Sequence, residues 1–75
     1  KTDFKCHVHT SEGDKILFYH WDNKSVTKKA AMLTGKAQKG KKGKKFYIKN
    51  ATQCIPLSET FKEKDAQILD KQTAR

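Results

Sequence analysis

The fold turns on one early stretch: Phe4-Lys-Cys-His-Val-His-Thr10, then Ser11-Glu-Gly-Asp-Lys15, then Ile16-Leu-Phe-Tyr-His-Trp21. In the first part apolar and polar residues alternate, with Phe4, Cys6 and Val8 on one parity. A period of two marks a half-buried strand. The middle part is turn chemistry, and the last is a strand apolar on both faces, so the three read as a β-hairpin. Gly13 and Asp14 suit a two-residue turn with glycine at its first central position. That turn would set Cys6 opposite Trp21, Val8 opposite Tyr19, His7 opposite His20 and His9 opposite Phe18. A longer turn slips the pairing and sends Phe18 to the Cys6 face. The residues alone leave the register open.

Working outward, Ser25 to Thr34 reads two ways. Val26, Ala30 and Leu33 fall at helical spacing, with Ser25 as N-cap and Gly35 as the stop. A third strand returning from the hairpin would instead extend an antiparallel meander. Lys45 to Ile55 is rich in β-formers and reads as the last long strand, with Phe46, Ile48 and Cys54 inward. Asn50 shares that parity yet is polar, which points to a bulge near Asn50-Ala51. Pro56 ends the strand. Thr60-Phe-Lys-Glu63 fits a capping box that opens a helix over about residues 61–70, with Phe61, Ile68 and Leu69 as its apolar stripe. The expected class is α+β: a small antiparallel meander of about four strands with one C-terminal helix.

Seventy-five residues, 35% hydrophobic and 33% charged, make one domain over residues 1–75 with a thin core. Such a core supplies about 3–5 kcal/mol, so a staple is expected. Cys6 and Cys54 are the candidate disulfide, whose closure stabilises by about 4 kcal/mol in the chain-entropy model. The alternative is a cytosolic chain with two reduced thiols. A lasting bridge implies an oxidising compartment. No apolar run is long enough to span a membrane. The chain opens at Lys1 rather than Met, which reads as a mature form whose leader has been removed or left out.

The net charge of +9 belongs to the middle of the chain. Between Asp22 and Glu59 there is no acid, and the interval holds ten lysines. The densest run spans Lys36, Lys39, Lys41, Lys42, Lys44 and Lys45, with Gly35, Gly40 and Gly43 interspersed. It reads as a mobile loop over about residues 35–45 and as a candidate anion- or partner-binding segment. Its natural ligands would be an acidic protein surface, an anionic polymer or lipid headgroups. The run has no arginine and no interleaved aromatic, which argues against nucleic acid. As a solvated loop it needs no ligand at all.

Chemistry-bearing constellations are few. His7 and His9 share a strand face, and His20 would join them in the first register, as three imidazoles able to hold Zn²⁺ or Cu²⁺. Cys6 points the other way, no acidic support is implied nearby, and solvent-facing histidines are the plainer reading. Ser11, Ser25 and Ser58 sit in turn or cap settings, and none lies in a nucleophile elbow. No enzyme activity, metal or cofactor is expected. Tyr19, Trp21 and Tyr47 would form a protein-binding patch if exposed. The helix stripe needs a surface, so it is expected to cover them.

The order Phe4-x-Cys6-x-Val8, Phe18-x-His20-Trp21, Lys44-Lys-Phe-Tyr-Ile-Lys49, Gln53-Cys-Ile-Pro-Leu-Ser-Glu-Thr-Phe61 and Ala66-Gln-Ile-Leu-Asp-Lys-Gln-Thr73 covers nearly the whole chain. It resembles a family of small exported gammaproteobacterial proteins of type IVa pilus or secretion systems. The resemblance supports the Cys6–Cys54 pairing and tips residues 25–34 towards strand. It implies a non-enzymatic accessory or interaction protein, periplasmic or secreted, with a protein partner in the cell envelope. It carries over no catalytic residue and adds nothing for the lysine run or the histidines. The alternative function is a cationic polyanion- or envelope-binding protein acting through the lysines.

Overall fold

The computed structural model describes residues 1–40 and 43–73, and its sheet is built around the first strand. Strands β1 (Thr2–Thr10), β2 (Gly13–Trp21), β3 (Ala37–Lys39) and β4 (Lys45–Pro56) lie in the order β2-β1-β4-β3, antiparallel throughout. Helix α1 (Val26–Ala31) follows a 3₁₀ turn at Asn23–Ser25, and helix α2 (Lys64–Gln72) closes the described chain. The α+β class, four antiparallel strands, C-terminal helix and Cys6–Cys54 bridge are therefore present.

The hairpin turn is centred on Ser11 and Glu12 rather than Gly13 and Asp14. Thr10 pairs with Gly13, whose φ of 98° only glycine adopts without penalty. The Thr10 hydroxyl accepts from the Glu12 amide at 3.0 Å and donates to the Gly13 carbonyl at 2.6 Å, tightening the turn. Cys6 thus faces Leu17, and His7 faces Ile16. The turn moves by an even number of residues, so every side chain keeps its expected face while its cross-strand neighbour changes.

Residues 25–34 are not a strand. The Asp22 carboxylate accepts from the Lys24 amide and starts the 3₁₀ turn, while Ser25 makes no side-chain cap. Leu33, just beyond α1, is 2% exposed, and Gly35 (φ 86°) donates to the Ile48 carbonyl at 2.7 Å. Val26 and Ala30 of the helical spacing lie half-buried in α1, and Leu33 reaches the core in the turn just beyond its end. The remaining strand is Ala37–Lys39, part of the run expected to be a mobile loop; Lys41 and Lys42 lie outside the described residues.

Two cores result. Cys6, Val8, Leu33, Phe46 and Ile48 form one, and Ile16, Ile55, Phe61 and Ala66 form the other. The capping box does not form: Phe61 is buried ahead of the helix, Glu63 takes the N-cap position in extended geometry, and Ile68 is 52% exposed. Phe61 packs ahead of α2, and Ala66 and Leu69 are the helix residues that join it in the core. Tyr19 and Trp21 stack at 4.6 Å on the first core, so α2 does not cover them.

Candidate functional site

Two places gather functional side chains. The first is the β3–β4 corner, where Lys39 stands directly opposite Lys45 and Ala37 opposite Tyr47. Like charges in cross-strand register repel. The corner is held nonetheless by backbone bonds: Ile48 donates to the Lys36 carbonyl at 2.9 Å, and Gly40 donates to that of Lys44 at 2.6 Å. A side chain at Gly40 would meet the Lys44 carbonyl oxygen and the Phe46 ring, so the close approach depends on glycine. Lys36, Lys39, Lys44 and Lys45 are exposed, and among the described residues none of the four forms an ion pair. Tyr47, 59% exposed, shares the outer side of this corner with Lys45. An aromatic ring among unpaired ammonium groups suits an acidic protein surface.

The second place is the end of the β1–β2 hairpin. His7 Nε2 lies 3.2 Å from one oxygen of Asp14, and His9 Nδ1 lies 2.5 Å from the other. His9 and Asp14 are direct cross-strand partners. The hydrogen bond with His9 holds the Asp14 carboxyl below its ordinary value, outweighing the upward push of desolvation, and His7 adds to the downward pull. β4 contributes a bulge here: Gln53 pairs with His7 and Ala51 with Val8, which leaves Thr52 as the extra residue. Its hydroxyl donates to the His7 carbonyl at 3.0 Å and lies 2.7 Å from His7 Nδ1. A second register shift sets Asn50 opposite His9 and Ile48 opposite Thr10, so the bulge expected at Asn50-Ala51 is flanked by two irregularities.

The structure thus separates the three histidines. His7 and His9 meet at Asp14, whereas His20 sits opposite Asp3 and contacts its carboxylate at 2.7 Å. Acidic support near the imidazoles, absent from the sequence reading, comes from Asp14. Asp14 was read as a turn residue, and only the true register carries it across from His9. Thr52 had no signal beyond its nearness to the expected bulge. Cys6 and Cys54 are cross-strand partners with Cα atoms 4.1 Å apart, on the opposite face from the imidazoles.

The family model described as "Type IVa secretion system protein TapY2-like" matches residues 1–75. The chain belongs to that family. Membership of the TapY2-like family spans both the disulfide and the lysine corner, and it agrees with the resemblance carried by the motifs. No curated protein and no solved structure matches the chain. Among the described residues no helix is long and apolar enough to cross a membrane.

Proposed function

We propose that this TapY2-like chain is a non-enzymatic, extracytoplasmic accessory protein that docks onto a protein of the type IVa machinery in the cell envelope. The family match over residues 1–75 carries this reading. The Cys6–Cys54 disulfide supports it, because such bonds persist where the surroundings are oxidising. The exposed Tyr47 beside Lys39 and Lys45 supplies a contact surface for an acidic partner. A periplasmic position accords with all three.

Photo-crosslinking from position 47 in cells, with position 29 on the outer side of α1 as control, tests the reading. A single envelope component captured from position 47 and not from 29 is the expected result. Crosslinks from neither position would overturn it. The exposed lysines, unpaired among the described residues, favour a second reading, a cationic envelope-binding protein. Retention on anionic vesicles that disappears in the K39Q/K44Q/K45Q variant, with no protein crosslink, would select that one.

A further inference from the structure

The hairpin end holds a constellation for which docking has no use. His7 is 2% exposed, yet its imidazole is polar at both nitrogens. The Thr52 hydroxyl has a single proton, which goes to the His7 carbonyl. Its oxygen must therefore accept from His7 Nδ1–H, 2.7 Å away. That bond fixes the tautomer and leaves Nε2 facing a carboxylate oxygen at 3.2 Å. A lone pair facing an anion is repulsive, so a proton or a metal cation belongs between them.

We propose that His7 Nε2, His9 Nδ1 and a carboxylate oxygen of Asp14 form a binding site for a divalent transition-metal ion of the zinc class. The three ligand atoms lie within 4.8 Å of one another. A tetrahedral ion with bonds of about 2.0–2.1 Å keeps its ligands about 3.3 Å apart. The separation of 3.2 Å between His7 Nε2 and one Asp14 oxygen already meets that, and His9, which contacts the other oxygen of the same carboxylate, comes into place by rotation of the solvent-accessible His9 and Asp14 side chains. His7 is held edge-on by Phe61, with ring centroids 6.2 Å apart, so the buried ligand is positioned in advance. His9 and Asp14, 41% and 43% exposed, leave the outer side open to the ion and to a fourth ligand from water. Two imidazoles and one carboxylate suit Zn²⁺ or Cu²⁺ and not Ca²⁺ or Mg²⁺, which require more oxygen ligands. Thr52 acts as a positioning residue through His7, as outer hydrogen bonds do in metal sites.

The test adds ZnCl₂ to the disulfide-closed chain and follows imidazole nitrogen shifts by NMR, with affinity measured by calorimetry. One equivalent should saturate the change at His7 Nε2 and His9 Nδ1 and leave His20 unmoved. H9N and D14N should abolish saturation, T52V should weaken binding by about tenfold or more, and H20N should bind as the parent does. Circular dichroism confirms that the variants fold, and H7A is avoided because its side chain is core. Non-saturating shifts, equal involvement of His20, equal binding of Ca²⁺, or undiminished affinity in H9N and D14N would each overturn the site. None of these outcomes bears on the docking role, which is read from crosslinks at position 47.

Discussion

Lys5 on β1 and Asp70 on α2 meet at 2.6 Å, 65 residues apart in the chain, between the sheet and the helix. Lys5 is 4% exposed, and its ammonium also lies 5.2 Å from the centre of the Phe61 ring. The pair fastens α2 over the polar face of β1. Removing one member of a buried pair leaves the other charge unsolvated, at about 3–5 kcal/mol. D70N should therefore lose about 3 kcal/mol in urea unfolding, while the K5M/D70L double variant recovers most of it. A D70N loss below about 1 kcal/mol would mean that apolar packing around Phe61, Ala66 and Leu69 holds the helix without help from the ion pair.

Alkylation of the native protein should find no free thiol, since the two cysteines are joined. Replacing both by alanine should cost about 2–5 kcal/mol, because 48 residues separate the bridged positions. For a domain with so small a core, that loss is expected to leave a chain largely unfolded at 37 °C. An unchanged thermal midpoint in C6A/C54A would show that packing suffices without the bond.

Tyr19 buries its hydroxyl with no hydrogen-bond partner among the described residues, and burial raises its pKa above the ordinary 10.0. The neutral phenol is the form the fold favours. Its contribution is thus complete below about pH 10 and is lost as pH climbs through the raised value. Absorbance titration of the Y47F variant, in which Tyr19 is the one tyrosine left, should show its phenol ionising above the ordinary 10.0. Y19F removes the unpaired donor and should hold or gain about 1 kcal/mol at neutral pH. A clear loss of stability in Y19F would reveal a partner for the hydroxyl.

Leu33 and Ile68 should respond in opposite ways. Leu33 is 2% exposed in the core, and L33A should cost about 2–5 kcal/mol. Ile68 is 52% exposed on the outer side of α2, so I68S should change stability by less than about 0.5 kcal/mol. Equal losses at both positions would place the residue 68 side of the helix against the sheet, contrary to the packing described.

Much of this architecture is legible in the residues. The alternation through Phe4, Cys6 and Val8 found β1, and the β-rich run before Pro56 found β4. What alternation could not show is that β1 lies centrally and is buried on both faces. Lys5 and His7 look like solvent-facing residues until Asp70 and Thr52 from distant segments, and Asp14 from across the hairpin, satisfy them. Ser25–Thr34 follows its own helical spacing and not the strand towards which the family resemblance tips it. The expected stripe of Phe61, Ile68 and Leu69 does not hold, because Phe61 precedes α2 and Ile68 faces outward. Candidate site residues fared unevenly: the histidines could be listed from sequence, but their grouping follows from a turn geometry that side-chain parity does not determine.

The Cys6–Cys54 bond joins residues that the β1–β4 ladder already places face to face. Slipping β4 by a single position would turn Cys54 to the far side of the sheet, out of reach of its mate. Oxidation is consequently selective for chains aligned as described, and it makes that alignment permanent. The neighbouring Thr52 shares in this: with Cys54 locked two residues away, the bulge that sets its hydroxyl against His7 is held in register.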